Sequence, residues 1–211
     1  MAEYVLYGFG ESGNAYKPGL MLELCRLDWT LNFVDFFNGG TRSPEYRTKV
    51  NEMGEVPVLI HAGKTLSQSA VILDYLAEQT RKFGAKSDDE RREILRWMFF
   101  DNHKLTSYLA TLRFLINFAK TGETPVTVFL RARAHSALKI VEAHLSGQPF
   151  VIGKRPTIAD LSMCGYLFYG DELTVPLTPY PQVLNWLDRI RSLPSWKHPY
   201  DLMPRAYGRS G

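Results

Sequence analysis

Cysteine is scarce: the 211 residues hold only Cys25 and Cys164. Each lies in an apolar, helix-like stretch, which excludes a disulfide framework and suits two buried, reduced thiols in a reducing compartment. The five histidines, His61, His103, His135, His144 and His198, lack any metal-ligand spacing, so no metal site is expected. Long apolar runs are missing too. None approaches the roughly 18 residues of a membrane span, and Met1-Ala2-Glu3-Tyr4-Val5 has no basic region leading into an apolar stretch, so no membrane role and a cytoplasmic location are expected. Nor does one sign of charge dominate. The 25 basic and 22 acidic side chains are spread along the chain and leave a net charge of +3, which gives no argument for nucleic acid or an anionic membrane as partner.

What remains is an ordinary globular composition, 45% hydrophobic and 22% charged, at a length that allows two modest domains. Tyr4 to Tyr7 reads as a short strand ended by Gly8 and Gly10. An apolar helical face follows from Leu20 to Leu27, then a second strand from Leu31 to Phe36. An irregular polar stretch from Asn38 to Gly54 leads to a third strand, Val56 to Ile60, and a fourth, Lys64 to Leu66, across the turn Ala62-Gly63. A helix from Ala70 to Ala77 closes this half. Charge is dense from Arg81 to Arg92, and beyond it only helical periods recur, about 89–120, 126–145, 157–169 and 183–192. The expected architecture is α/β plus all-α: a βαβββα domain at 1–80, a linker at 81–88 and an all-helical domain at 89–211.

Three short segments carry chemistry. Val56-Pro57 opens a strand, where a trans proline would forfeit a ladder hydrogen bond; either the strand is an edge or the peptide bond is cis. In the cis case the N–H and C=O of Val56 turn outward, free to pair with a short extended peptide. Gln68-Ser69 follows the fourth strand and leads into a helix, so Ser69 is either a plain cap or part of an anion site built from unpaired helix N–H groups. Ser12-Gly13-Asn14-Ala15-Tyr16-Lys17-Pro18 lies between the first strand and first helix, with Pro18 suited to the first turn. It is either cap and turn, or a site where the Ser12 hydroxyl donates to a bound thiolate with Asn14 as a second donor. Lowering a thiol pKa from about 8.5 to about 6.5 takes roughly 2.7 kcal/mol. One or two hydrogen bonds to a charged acceptor, at about 1.5 to 3 kcal/mol each, cover that.

The stretches Tyr7 to Lys17, Asn51 to Leu59 and Leu66 to Leu76 resemble the glutathione transferase family, and Gly153 with Thr157-Ile158-Ala159-Asp160 resembles that family's capping box and buried aspartate. The serine loop is most similar to bacterial serine-type members. The resemblance implies a thioredoxin-like glutathione-binding domain, a helical domain lining an acceptor pocket, a homodimer, and detoxification by conjugation of glutathione, the co-substrate, to small hydrophobic electrophiles. It implies Gln68 and Ser69 on the γ-glutamyl group, Val56 beside Pro57 on the cysteinyl backbone, and Ser12 at the sulfur. For the glycine carboxylate Arg42 is the choice, with Lys49 second. Phe9 and Tyr108 are taken as acceptor-pocket walls. The aromatic stripe Trp97, Phe99, Phe100, Tyr108 and Phe114 reads as core, and Thr157 and Asp160 as folding residues.

Two departures from the family pattern stand out. Pro18-Gly19 replaces the usual valine and basic residue, and Glu55 stands where lysine or glutamine is frequent, making the glycyl end less positive. Alternatives to conjugation are a zeta-type isomerase of a cis-unsaturated diketo acid, whose doubled serine Glu11-Ser12-Gly13 lacks, and a non-catalytic binding or regulatory protein. Thiol-disulfide exchange through a protein thiol is disfavoured because Ser12-Gly13-Asn14-Ala15 stands where Cys-x-x-Cys would be.

Overall fold

Tyr4, Leu6 and Gly8 are buried while Val5 and Tyr7 between them are only half covered, the pattern of a strand packed on both faces. In the computed structural model, which describes residues 2–208, this strand is β1 (Tyr4–Gly8) at the middle of a four-stranded sheet. The order along the chain is β1, α1 (Gly13–Cys25), β2 (Trp29–Phe33), α2 (Pro44–Lys49), β3 (Val58–His61), β4 (Lys64–Ser67) and α3 (Ser69–Thr80). Across the sheet the order is β2-β1-β3-β4, with β1 and β2 parallel and the other pairs antiparallel. Register pairs Leu6 with Leu31 on one side and Leu59 on the other, so the strand centres are apolar. Ala62 and Gly63, both at positive φ (48° and 75°), form the tight β3–β4 turn.

Several elements differ from the sequence reading. Helix α1 starts at Gly13, so the serine loop is the head of the helix and Pro18 lies inside it, where its missing N–H deprives the Asn14 carbonyl of its usual donor. Nearly the whole circumference of α1 is buried, against β1, α3 and a tail helix, which erases the one-sided period that would have marked its start. Helix α2 occupies part of the stretch read as irregular. Its signals were present: Ser43 caps through the Tyr46 N–H at 3.1 Å, and Pro44 takes the first turn. Strand β2 sits two to three residues early because it runs in register with β1, Tyr4 opposite Trp29.

The chain forms two compact units, one of residues up to Lys82 together with the segment from Pro194 on, the other Phe83–Leu193. The tail therefore belongs to the first unit and not to the helical half. Its short helix α9 (Pro199–Leu202) packs on α1, the Tyr16 hydroxyl donates to the Lys197 carbonyl at 2.8 Å, and Lys197 pairs with Glu23 at 3.0 Å. Four helical residues carry too little period to reveal this return.

The second unit is helical: α4 (Asp88–Phe100), a π-helical turn (Asp101–Leu105), α5 (Thr106–Arg113), a second π turn (Phe114–Phe118), α6 (Pro125–Leu145), α7 (Ile158–Met163), a 3₁₀ turn (Gly170–Leu173) and α8 (Pro181–Arg191). The expected aromatic core stripe is only partly core. Ile94, Trp97 and Met98 form the buried face of α4, which turns Phe99 outward at 70% exposure. The Asp101 carboxylate, fully buried, accepts from Thr106 (2.7 Å) and Ser162 (2.6 Å), tying the first π turn to α7.

Thr157 and Asp160 fold the unit as expected. Thr157 caps α7, and the Asp160 carboxylate accepts the N–H of Thr157 (2.8 Å), the N–H of Val151 (2.8 Å) and the indole N–H of Trp186 (2.9 Å). Complete burial pushes the Asp160 carboxyl upward, and those donors pull it back toward the ionised form. Asp160→Asn replaces one acceptor oxygen with an amide that faces donors, so a loss of about 3 kcal/mol is expected, read as a lower urea midpoint. A change within about 0.5 kcal/mol would contradict this role.

Candidate functional site

Ser12 is the N-cap of α1. Its hydroxyl oxygen accepts the Ala15 N–H at 3.1 Å and the side chain is buried, while its own O–H has no acceptor among the described residues. Cap and donor are thus compatible, because a hydroxyl can accept and donate at once. Asn14 follows in the first turn, half-buried, and its amide likewise has no partner among the described residues. The end of β1 fixes this helix head closely: a Cβ on Gly8 would come within 2.7 Å of the Ala15 Cβ.

Of the two readings of Pro57, the edge strand is ruled out, since β3 lies between β1 and β4 and starts only at Val58; the Val56–Pro57 bond is cis. The backbone N–H and C=O of half-buried Val56 make no hydrogen bond among the described residues. The preceding loop is held from behind. The Glu55 carbonyl accepts from the Tyr46 hydroxyl and the Asn51 amide, both at 3.0 Å, and the Asn51 oxygen accepts the Met53 N–H at 3.1 Å. Burial, with Tyr7 nearby, pushes the Tyr46 phenol up to about 12, so it stays a neutral donor throughout the physiological range.

At the head of α3 the cap is Gln68, and Ser69 is the first helical residue. The first bond into the helix runs from the Ile72 N–H to the Gln68 carbonyl, so the N–H groups of Ser69, Ala70 and Val71 are left over, as is the Ser69 hydroxyl. Gln68 sits at φ 69°, a conformation that costs a non-glycine residue of order 1–3 kcal/mol and persists where the surroundings hold it. Here its side-chain amide donates to Glu55 Oε2 at 3.1 Å and to Met53 Sδ at 3.4 Å. No local pattern in the sequence marks the reach of Glu55 to Gln68, which sets its carboxylate beside the head of α3.

The other expected residues fare unevenly. Lys49 is exposed and paired with Glu45 at 2.9 Å, whereas exposed Arg42 has no side-chain partner among the described residues. Arg47, not singled out by the sequence, has its guanidinium against Gly54, two residues before Val56. Phe9 is buried, stacked on Phe36 (ring centroids 5.1 Å apart) with its edge to Phe37, which in turn meets Tyr207 at 5.1 Å. Of this aromatic group Tyr207 is the exposed member. Tyr108 belongs to the second unit, where the Arg133 guanidinium lies over its ring and 3.4 Å from its hydroxyl and holds the phenol below its ordinary value.

Two family models match this chain: glutathione S-transferase, N-terminal domain, over residues 12–79, and glutathione S-transferase, C-terminal domain, over residues 90–189. The chain belongs to the glutathione S-transferase family. A solved glutathione S-transferase from Pseudomonas fluorescens Pf-5 is 32% identical, with TM-score 0.87 over 93% of this chain and 98% of that one. The theta-class glutathione S-transferase of Xanthomonas axonopodis pv. citri, solved with glutathione bound, has TM-score 0.85 at 22% identity over 97% of this chain and 98% of that one, which speaks to the fold. Among curated relatives, the disulfide-bond oxidoreductase YfcG of Escherichia coli K12 is 28% identical over 195 residues, 89% of this chain and 90% of its own length. The first unit is accordingly thioredoxin-like and the second is the family's helical domain.

In this family member the tail is strapped over the serine loop. The buried Glu11 carboxylate accepts the N–H groups of Ala206 (2.8 Å) and Tyr207 (3.1 Å), and the Gly10 N–H donates to the Pro204 carbonyl at 2.8 Å. Gly10 permits this approach, since a Cβ there would lie 2.7 Å from the Met203 carbonyl oxygen. Glu11→Ala leaves both tail amides without their acceptor, at a local cost of about 3 kcal/mol, so amide exchange at Ala206 and Tyr207 is expected to quicken about a hundredfold. Unchanged exchange at both positions would dismiss the strap.

Proposed function

We propose that this protein binds glutathione in its first unit and conjugates it to small hydrophobic electrophiles. In this reading the unpaired N–H groups of α3 and the Ser69 hydroxyl take the γ-glutamyl carboxylate, Gln68 contacts the rest of that moiety, and the Val56 backbone pairs with the cysteinyl unit beside Pro57. Arg42 takes the glycine carboxylate, with Lys49 second. Arg47, against Gly54, is a third cation for the same role.

The observation that carries the reading is the Ser12 hydroxyl: buried, its oxygen engaged by the Ala15 N–H, its proton uncommitted. A thiolate sulfur accepting that proton is stabilised, with Asn14 as a second donor. The thiol proton leaves to solvent, the sulfur lone pair forms the S–C bond, and the leaving group of the acceptor departs with its electron pair. Both cysteines are buried, and burial pushes the Cys25 thiol up, so the nucleophile in this scheme is the bound tripeptide's sulfur. Phe9, Phe36, Phe37 and Tyr207 supply apolar surface for the acceptor. Met53, Val71 and Phe99 are exposed apolar side chains of the kind a homodimer covers.

The similarity to YfcG favours a second reading at the same site, attack of the glutathione thiolate on a disulfide without any protein thiol. Parallel assays with a halonitrobenzene, a small disulfide and a cis-unsaturated diketo acid separate conjugation, reduction and isomerisation. Ser12→Ala is expected to raise the apparent pKa of the bound thiol by about one to two units, followed as thiolate absorbance against pH, with glutathione affinity little changed. An unshifted titration removes Ser12 from the chemistry, and absence of glutathione binding in calorimetry favours the alternative of a non-catalytic binding or regulatory protein.

A further inference from the structure

Seven asparagines stand in the chain, and Asn38 is the one followed by glycine. The backbone nitrogen of the residue after an asparagine can attack the side-chain amide carbon, and a glycine in that place has no Cβ to hinder the approach. In the turn after β2, Asn38 is exposed, and Gly39 lies at φ 88° where even a Cβ would meet nothing within 4 Å. Two hydrogen bonds hold the pair: the Gly39 N–H donates to the Phe36 carbonyl at 3.1 Å, and the Asn38 amide to Asp35 Oδ2 at 2.8 Å. Both break when an exposed turn opens locally, so the fold slows the attack without preventing it.

The same amide holds the native turn together. Asp35 Oδ1 is buried without a partner, so the Asn38 N–H is the only donor to the Asp35 carboxylate among the described residues. The Asp35 carbonyl accepts the Gly40 N–H at 2.8 Å, and a Cβ on Gly40 would lie 2.8 Å from that oxygen. We propose that Asn38 is a site of spontaneous deamidation whose product unlocks this turn. The Gly39 nitrogen gives up its proton and bonds to the Asn38 amide carbon, the bond to the side-chain nitrogen breaks, and ammonia leaves. Water then opens the succinimide to aspartate or isoaspartate, with nothing oxidised or reduced. The product sets a carboxylate where Asp35 had its donor, so two like charges face each other and the Asp35 side chain loses its hydrogen bond. Phe36 and Phe37 stand inside the turn. Resting on the reading that they supply acceptor surface, deamidation weakens the hold on the acceptor.

The test incubates the full chain at pH 7 and pH 9 and follows it by peptide mass mapping, beside the free peptide of residues 36–41. The mass gain of an amide turned to an acid is expected first at Asn38, faster at pH 9, at a rate within about a hundredfold of the free peptide's. A gain that appears first at another asparagine, or a slower native rate, overturns the assignment. Asn38→Asp stands in for the product: amide exchange at Gly39 and Gly40 is expected to quicken about tenfold, and KM for a halonitrobenzene to rise a few-fold with glutathione affinity within about twofold of wild type. Adding Asp35→Asn restores a donor to the pair and is expected to return both readings to wild type. Exchange that Asn38→Asp leaves unchanged, or that the second substitution fails to slow, overturns the unlocking. Quickened exchange with an unmoved KM, or a chain that binds no glutathione, overturns the acceptor reading alone, because the mass and exchange measurements need no ligand.

Discussion

A single hydrogen bond, from the Ala15 N–H to the Ser12 hydroxyl, sets the geometry on which the candidate site depends. It starts α1 directly behind β1, with no room for a side chain on Gly8, and leaves the hydroxyl proton of Ser12 uncommitted. The tail reinforces that arrangement from the other side. Glu11, one residue earlier, spends its buried carboxylate on the amides of Ala206 and Tyr207, so chain nearly 200 residues away in sequence holds the loop from which Ser12 projects. A cap worth about 1 kcal/mol to a helix becomes, in this setting, the means of presenting one donor in a dry position.

The remaining polar groups are also left over from secondary structure. Val56 sits just before β3, outside the ladder, and the first N–H groups of α3 precede the first helical bond, so both strand start and helix start carry unsatisfied backbone that faces no partner within the described residues. Unpaired backbone of this kind is costly when dry and useful when a peptide arrives to pair with it. Because β3 is central in the sheet and Tyr46 and Asn51 brace the preceding loop, the geometry is preset.

Much of this was legible in the sequence, for physical reasons that differ from residue to residue. Ser69 after a strand and before a helical period could only be near a helix head, and Thr157 followed three residues later by Asp160 announced a cap whatever the tertiary context. The start of α1 was hidden because a helix buried nearly all round has no polar face, and Pro18 imitated a first-turn proline while standing inside the helix. Helix α2 stands within a stretch whose polar composition reads as irregular, although Ser43-Pro44-Glu45 carries the marks of a helix start. The return of the tail and the reach of Glu55 to Gln68 are long-range contacts made by residues whose local pattern is silent. Phe99 shows the reverse failure, an aromatic at core spacing that the rotation of α4 turns to solvent.

Three leftovers of secondary structure, at Ser12, Val56 and Ser69, are proposed to meet one tripeptide. A crystal structure of the protein soaked with glutathione addresses all three together. The sulfur is expected within hydrogen-bond reach of the Ser12 hydroxyl, the cysteinyl backbone paired with Val56 and the γ-glutamyl carboxylate on the N–H groups at the head of α3. Glutathione bound elsewhere, or bound there with its sulfur turned away from Ser12, would contradict it.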